Sequence, residues 1–86
     1  MKDRITNRLG SAVRLRRETI QMSQQELADR LGYTNRSAIA KIETGANGIP
    51  VRKIEAFASA LYCPPWELIG CTHADWQAFQ RVLDLL

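Results

Sequence analysis

Apolar positions along the chain recur at the three- and four-residue spacing of amphipathic helices. Leu9, Val13, Arg17 and Ile20 stand at i, i+4, i+8 and i+11, which predicts a first helix from about Ile5 or Arg8 to Ile20, with one charged residue in its inward stripe. Leu27, Ala28 and Leu31 mark a second helix, and Ile39 and Ile42 a third running from Arg36 to Thr44. A fourth carries Ile54, Phe57, Ala58 and Leu61, and a short fifth spans Trp66 to Ile69 after Pro64-Pro65. In a sixth, Trp76, Phe79, Leu83 and Leu86 recur at i, i+3, i+7 and i+10, a heptad-like seam widened by Val82 and Leu85. The expected fold is all-α.

The residues between these groups are helix punctuation. Ser23 can cap the second helix while Glu26, three residues on, reaches back to the Ser23 N–H, a capping box that starts the helix at Gln24. Gly32 can take the positive φ that ends it. Asn35 can cap the third helix, and Gly45 stops it. Gly48 and Pro50 mark a turn and the start of the fourth, Gly70 closes the fifth, and Thr72 with Asp75 caps the sixth.

Ser23-Gln24-x-Glu26-Leu27-Ala28, then Leu31-Gly32, then Ile39-x-Lys41-Ile42-Glu43-x-Gly45 together resemble the helix-turn-helix of the Cro and lambda-repressor-like family of phage repressors and restriction controllers. Ala28 is small where the next helix crosses close to it, Gly32 makes the turn, and Leu27, Leu31, Ile39 and Ile42 wedge the helices at about 90–120°. The resemblance covers Leu9 to Gly70. It implies a lambda repressor-like five-helix DNA-binding domain over residues 1–70, with motif 23–45, to which residues 71–86 add a C-terminal helix. Three departures stand out: the turn from Gly32 to Ile39 is one residue longer than the commonest family form, Tyr62 stands where the family often has a helix-ending Gly, and Trp66 where it often has a polar residue.

The face of the third helix opposite Ile39 and Ile42 carries Ser37, Ala40, Lys41 and Thr44, with Arg36 at its start, and is the face that would enter the major groove. Arg36 can donate two hydrogen bonds to a guanine edge, Lys41 to guanine or phosphate, and Ser37 to several base edges; Asn35 is the alternative reader if Arg36 serves phosphate. The resemblance places Gln24 on a phosphate and lays the loop after Gly45 along the DNA backbone, where Asn47 is a candidate donor or a turn residue. Arg17 in an apolar stripe needs a carboxylate. Glu43, four residues after Ile39, is the expected partner, a pairing that the family commonly makes. Arg14 and Arg16 lie off the stripe, as phosphate contacts or, more plainly, as solubilising charge.

Composition sharpens the picture. The chain has 86 residues and a formal charge of +3; residues 1–53 hold eleven of the twelve Lys and Arg against five Asp and Glu, and the remainder one Arg against four acids. A basic front suits phosphates and an acidic back suits protein, although a solvated helical surface would look similar. Cys63 and Cys71 with the single His73 offer three ligands at irregular spacing, so neither metal nor cofactor is expected, and no nucleophile cluster or glycine-rich phosphate loop suggests an enzyme. No apolar stretch approaches the roughly 20 residues of a membrane span and the N-terminus lacks a signal-peptide core, so a cytoplasmic protein is expected. The expected function is a sequence-specific double-stranded DNA-binding regulator, a repressor of a phage, mobile element or restriction locus, that binds a palindromic operator as a homodimer, with Trp66, Trp76, Phe79, Leu83 and Leu86 as the dimer or partner contact. The alternative is an antitoxin-like interaction protein whose C-terminal helix binds a partner protein.

Overall fold

The computed structural model describes residues 4–85. It is all-α in these residues: α1 Arg4–Thr19, α2 Gln24–Leu31, α3 Ser37–Glu43, α4 Ile54–Ala60, α5 Pro65–Ile69 and α6 His73–Asp84, with a 3-10 turn Val51–Lys53 leading into α4. Val13, Leu27, Ile39, Phe57 and Leu61 are fully buried and form the centre of the core, which joins α1 to α4. Around it α1 packs on α3 and α5, α2 on α3 and α4, and α6 on α5.

Local chemistry explains the boundaries. The Ser23 hydroxyl accepts from the Glu26 N–H at 3.0 Å, and Gly32 at φ 78° ends α2 with its N–H on the last carbonyls. Asn35 sits just outside α3, where its Oδ1 accepts from the Ser37 N–H at 2.9 Å; α3 therefore starts at Ser37, one residue later than the pattern suggests. Pro50 opens the 3-10 turn rather than α4 itself.

Two contacts hold the frame in ways the pattern does not announce. Gly10 lies buried in α1 against the end of α3: a Cβ placed there would run into the Ile42 carbonyl oxygen and lie 3.1 Å from that of Glu43. The two helix backbones touch directly. Arg16, read as solubilising charge, instead reaches across 45 residues of sequence: its Nε donates to Leu61 O at 2.9 Å and its Nη2 to Tyr62 O at 2.7 Å. These carbonyls at the end of α4 have no partner in the helix, and the guanidinium supplies two donors at once. Tyr62 there has φ 56°, the left-handed conformation a glycine would adopt freely.

The C-terminal seam is divided rather than uniform. Thr72 caps α6 by accepting from the Asp75 N–H at 3.1 Å, Gln80 donates to Glu55 of α4 at 2.6 Å, and Trp76 is only 4% exposed. Trp76 is thus buried in its own chain, not on a surface open to a second one. Trp66 is half-buried, with its ring centroid 4.3 Å from that of His73. Leu83 is half-buried, whereas Phe79, Val82 and Leu85 are exposed. Leu86 lies outside the described residues.

Gly10→Ala separates two effects of opposite sign. Helix propensity alone would favour alanine by about 1 kcal/mol. Backbone atoms cannot give way as side chains do, so overpacking should outweigh it, with a net loss of about 1–2 kcal/mol and a lower thermal midpoint.

Candidate nucleic-acid interface

One side of α3 is sealed: Ile39, Ile42 and Glu43 are buried. The other is open and polar. Arg36, Ser37, Lys41 and Thr44 are exposed and Ala40 is half-buried between them. Neither Arg36 nor Lys41 has a carboxylate within salt-bridge distance among the described residues, so both charges face solvent uncompensated. Asn47 is exposed beside them, anchored by its N–H on Lys41 O at 3.1 Å. Asn35 is exposed but has its Oδ1 committed to the Ser37 N–H, leaving its amide hydrogens for an outside acceptor.

The orientation of α3 is fixed from behind by Glu43. Arg17 Nε donates to Glu43 Oε2 at 2.6 Å and Nη2 to Oε1 at 3.1 Å, a bidentate fork. Arg17 Nη1 also donates to Met22 O at 2.8 Å, so the same side chain ties α1 to the segment before α2. Their side chains are 12% and 3% exposed. The hydrogen bond to the Glu43 carboxylate raises the Arg17 pKa above its ordinary value, outweighing desolvation.

Gln24 belongs to this network. Its Nε2 donates to Glu43 Oε1 at 3.0 Å, so one of the two amide hydrogens of this expected phosphate contact is engaged inward. The sequence signal for this was the acceptor capacity of Glu43, a carboxylate with more lone pairs than one arginine uses.

Among the described residues, no group of three His, Cys, Asp or Glu is placed to hold a metal ion. Burial pushes the Cys63 thiol up, away from the thiolate that nucleophilic chemistry would need. No helix of the described residues is long and apolar enough to cross a membrane.

Residues 8–69 match a family model described as a helix-turn-helix domain. The restriction-modification controller protein C.AhdI from Aeromonas hydrophila is similar in structure with a TM-score of 0.67 and 30% identity, covering 73% of this chain and 94% of that one. The hypothetical transcription factor NHTF from Neisseria gives 0.69 and 27%, covering 95% of this chain and 85% of that one. The clp gene regulator ClgR from C. glutamicum gives 0.72 at 18% identity, covering 79% and 87%, a likeness of fold alone. No curated protein sequence gives a significant match. The fold and the exposed α3 face define a helix-turn-helix regulator of the Cro and lambda-repressor-like kind. The chain belongs to the helix-turn-helix domain family, and α6 lies beyond the matched segment.

Glu43→Ala would leave Arg17 and Gln24 facing an emptied, buried acceptor site. Breaking a buried pair from one side costs about 3–5 kcal/mol, so thermal unfolding should show the midpoint falling by on the order of 12 °C or more.

Proposed function

We propose that the chain is a sequence-specific transcriptional repressor that binds double-stranded DNA as a homodimer, with α3 in the major groove of a palindromic operator. The observation that carries this reading is the two-sidedness of α3. Its buried face is locked by Glu43, and its open face carries two uncompensated cations among small polar residues. In this reading Arg36, Lys41, Ser37 and Asn35 meet base edges, while Gln24 and Asn47 meet phosphates at either flank and set the docking register. Residues 1–70 are the DNA-reading domain and 71–86 the contact arm, working in the cytoplasm without a cofactor and without catalysis. The likeness to a restriction-modification controller supports a role at a mobile or restriction locus.

Dimerisation is assigned to the outer face of α6, where Phe79, Val82 and Leu85 are 37%, 55% and 86% exposed, flanked by half-buried Leu83 and by Trp66 of α5. Trp76 contributes from within, as the residue that seats α6 on its own domain. The same exposed face supports the second reading, an interaction protein that docks a different chain.

Selection of random duplexes at physiological salt should recover a two-fold symmetric site with half-sites about 10–10.5 base pairs apart. Arg36→Ala should then cost about 1–3 kcal/mol at the selected site and relax preference at one base pair. An equal loss on every sequence would make Arg36 a phosphate contact and move base reading to Asn35 or Ser37. For the dimer, sedimentation of the full chain at micromolar concentration should show two copies, and Phe79→Asp with Val82→Asp should yield a folded monomer. A monomeric parent chain would exclude the homodimer and favour the foreign partner.

A further inference from the structure

Four arginines of the basic half are tied to acceptors within the fold. Arg14 and Arg30 pair with Glu18 and Glu26 one turn away at 3.2 and 3.4 Å, Arg16 holds the α4 carbonyls and Arg17 the Glu43 carboxylate. Lys53 is different. No carboxylate lies within salt-bridge distance among the described residues, yet its ammonium is held: it lies 4.7 Å from the centroid of the Tyr33 ring and 3.5 Å from the Tyr33 hydroxyl.

Tyr33 is a firm support for it. It is half-buried, its ring centroid lies 6.2 Å from that of the fully buried Phe57, and its N–H donates to Ala28 O at 2.9 Å. It is the first residue of the turn after Gly32 and comes three residues before Arg36. Lys53 ends the 3-10 turn on the far side of the α3–α4 loop. The contact therefore ties the 3-10 turn that leads into α4 to the turn that leads into α3.

An exposed lysine ordinarily carries its charge on a stem with four freely rotating bonds, and ordering that stem weakens any contact it makes. The negative face of an aromatic ring fixes an ammonium without neutralising it. Lys53 remains exposed, and its three donors are not consumed by a single tyrosine oxygen.

We infer that Lys53, held on the Tyr33 ring, is a preorganised clamp on the phosphodiester backbone of duplex DNA beside α3, with Tyr33 as its positioning residue. This rests on the DNA-binding reading above. The clamp reads charge and not sequence, so it acts on every duplex, and each phosphate it neutralises releases bound counterion.

The test is the salt dependence of binding to a mixed-sequence duplex, measured between about 50 and 200 mM salt for the full chain and its variants. Lys53→Gln keeps the stem and removes the charge. It should lower the slope of log affinity against log salt by about one and weaken binding several-fold. Tyr33→Leu should weaken binding in the parent but have little further effect in the K53Q background, whereas Tyr33→Phe, which keeps the ring, should retain most of the affinity. Circular dichroism and thermal melts of each variant confirm that binding is compared between folded chains. An unchanged slope in K53Q with a parent that binds would overturn the clamp alone; a parent that binds no duplex would overturn the DNA-binding reading itself. Equal losses from Tyr33→Leu with and without Lys53 would remove Tyr33 as the positioning residue.

Discussion

Glu43 is the point at which three parts of the chain agree on one geometry. Arg17 reaches it from α1, Gln24 from the first turn of α2, and the carboxylate belongs to α3. A hydrophobic contact could hold these helices together, but apolar packing tolerates small slides and rotations. A bidentate fork with a third donor does not, because each hydrogen bond weakens steeply off its preferred angle. Buried ion pairs often contribute little net stability, since desolvation offsets the attraction. What this one supplies is directed bonding: in the setting of α3 that it holds, every buried side-chain polar atom of the described residues has a partner.

The backbone contact at Gly10 acts in the same direction from a different side. Where Glu43 fixes α3 by directed bonds, Gly10 fixes its distance from α1 by the absence of a side chain. Arg16 extends the bracing to α4 through the Leu61 and Tyr62 carbonyls. Three residues of α1, at positions 10, 16 and 17, thus position the rest of the domain, and only one of them stands in the apolar stripe.

That arrangement explains how far the sequence could be read. Caps and glycine stops are local chemistry, decided within four residues, so Ser23, Gly32, Gly70 and Thr72 could be placed from the chain alone. Arg17 could be singled out because a charge in an apolar stripe demands a partner, and Glu43 had the right type and spacing. Arg16 offered no such signal: on a helical wheel it is an ordinary surface charge, and its acceptors are backbone carbonyls 45 residues away. Gly10 was equally silent, because its role is a close approach and not a turn. Trp76 and Phe79 look alike in a periodic pattern, yet one is buried and the other exposed, since periodicity specifies a face and not its depth. The pairing of Lys53 with Tyr33 joins elements on either side of α3, which only the tertiary fold brings together.

The direct contact between the α1 and α3 backbones has a mechanical consequence for recognition. A reading helix mounted on side chains can tilt by a few degrees to suit neighbouring base pairs, trading a little packing for a better hydrogen bond. Here one wall of the mount is peptide backbone, which resists compression far more strongly than methyl groups. On the proposed reading, the adjustment needed at each operator falls to the duplex, through twist, groove width and bend. Base pairs the protein never touches would then contribute to its choice of site, according to how easily they deform.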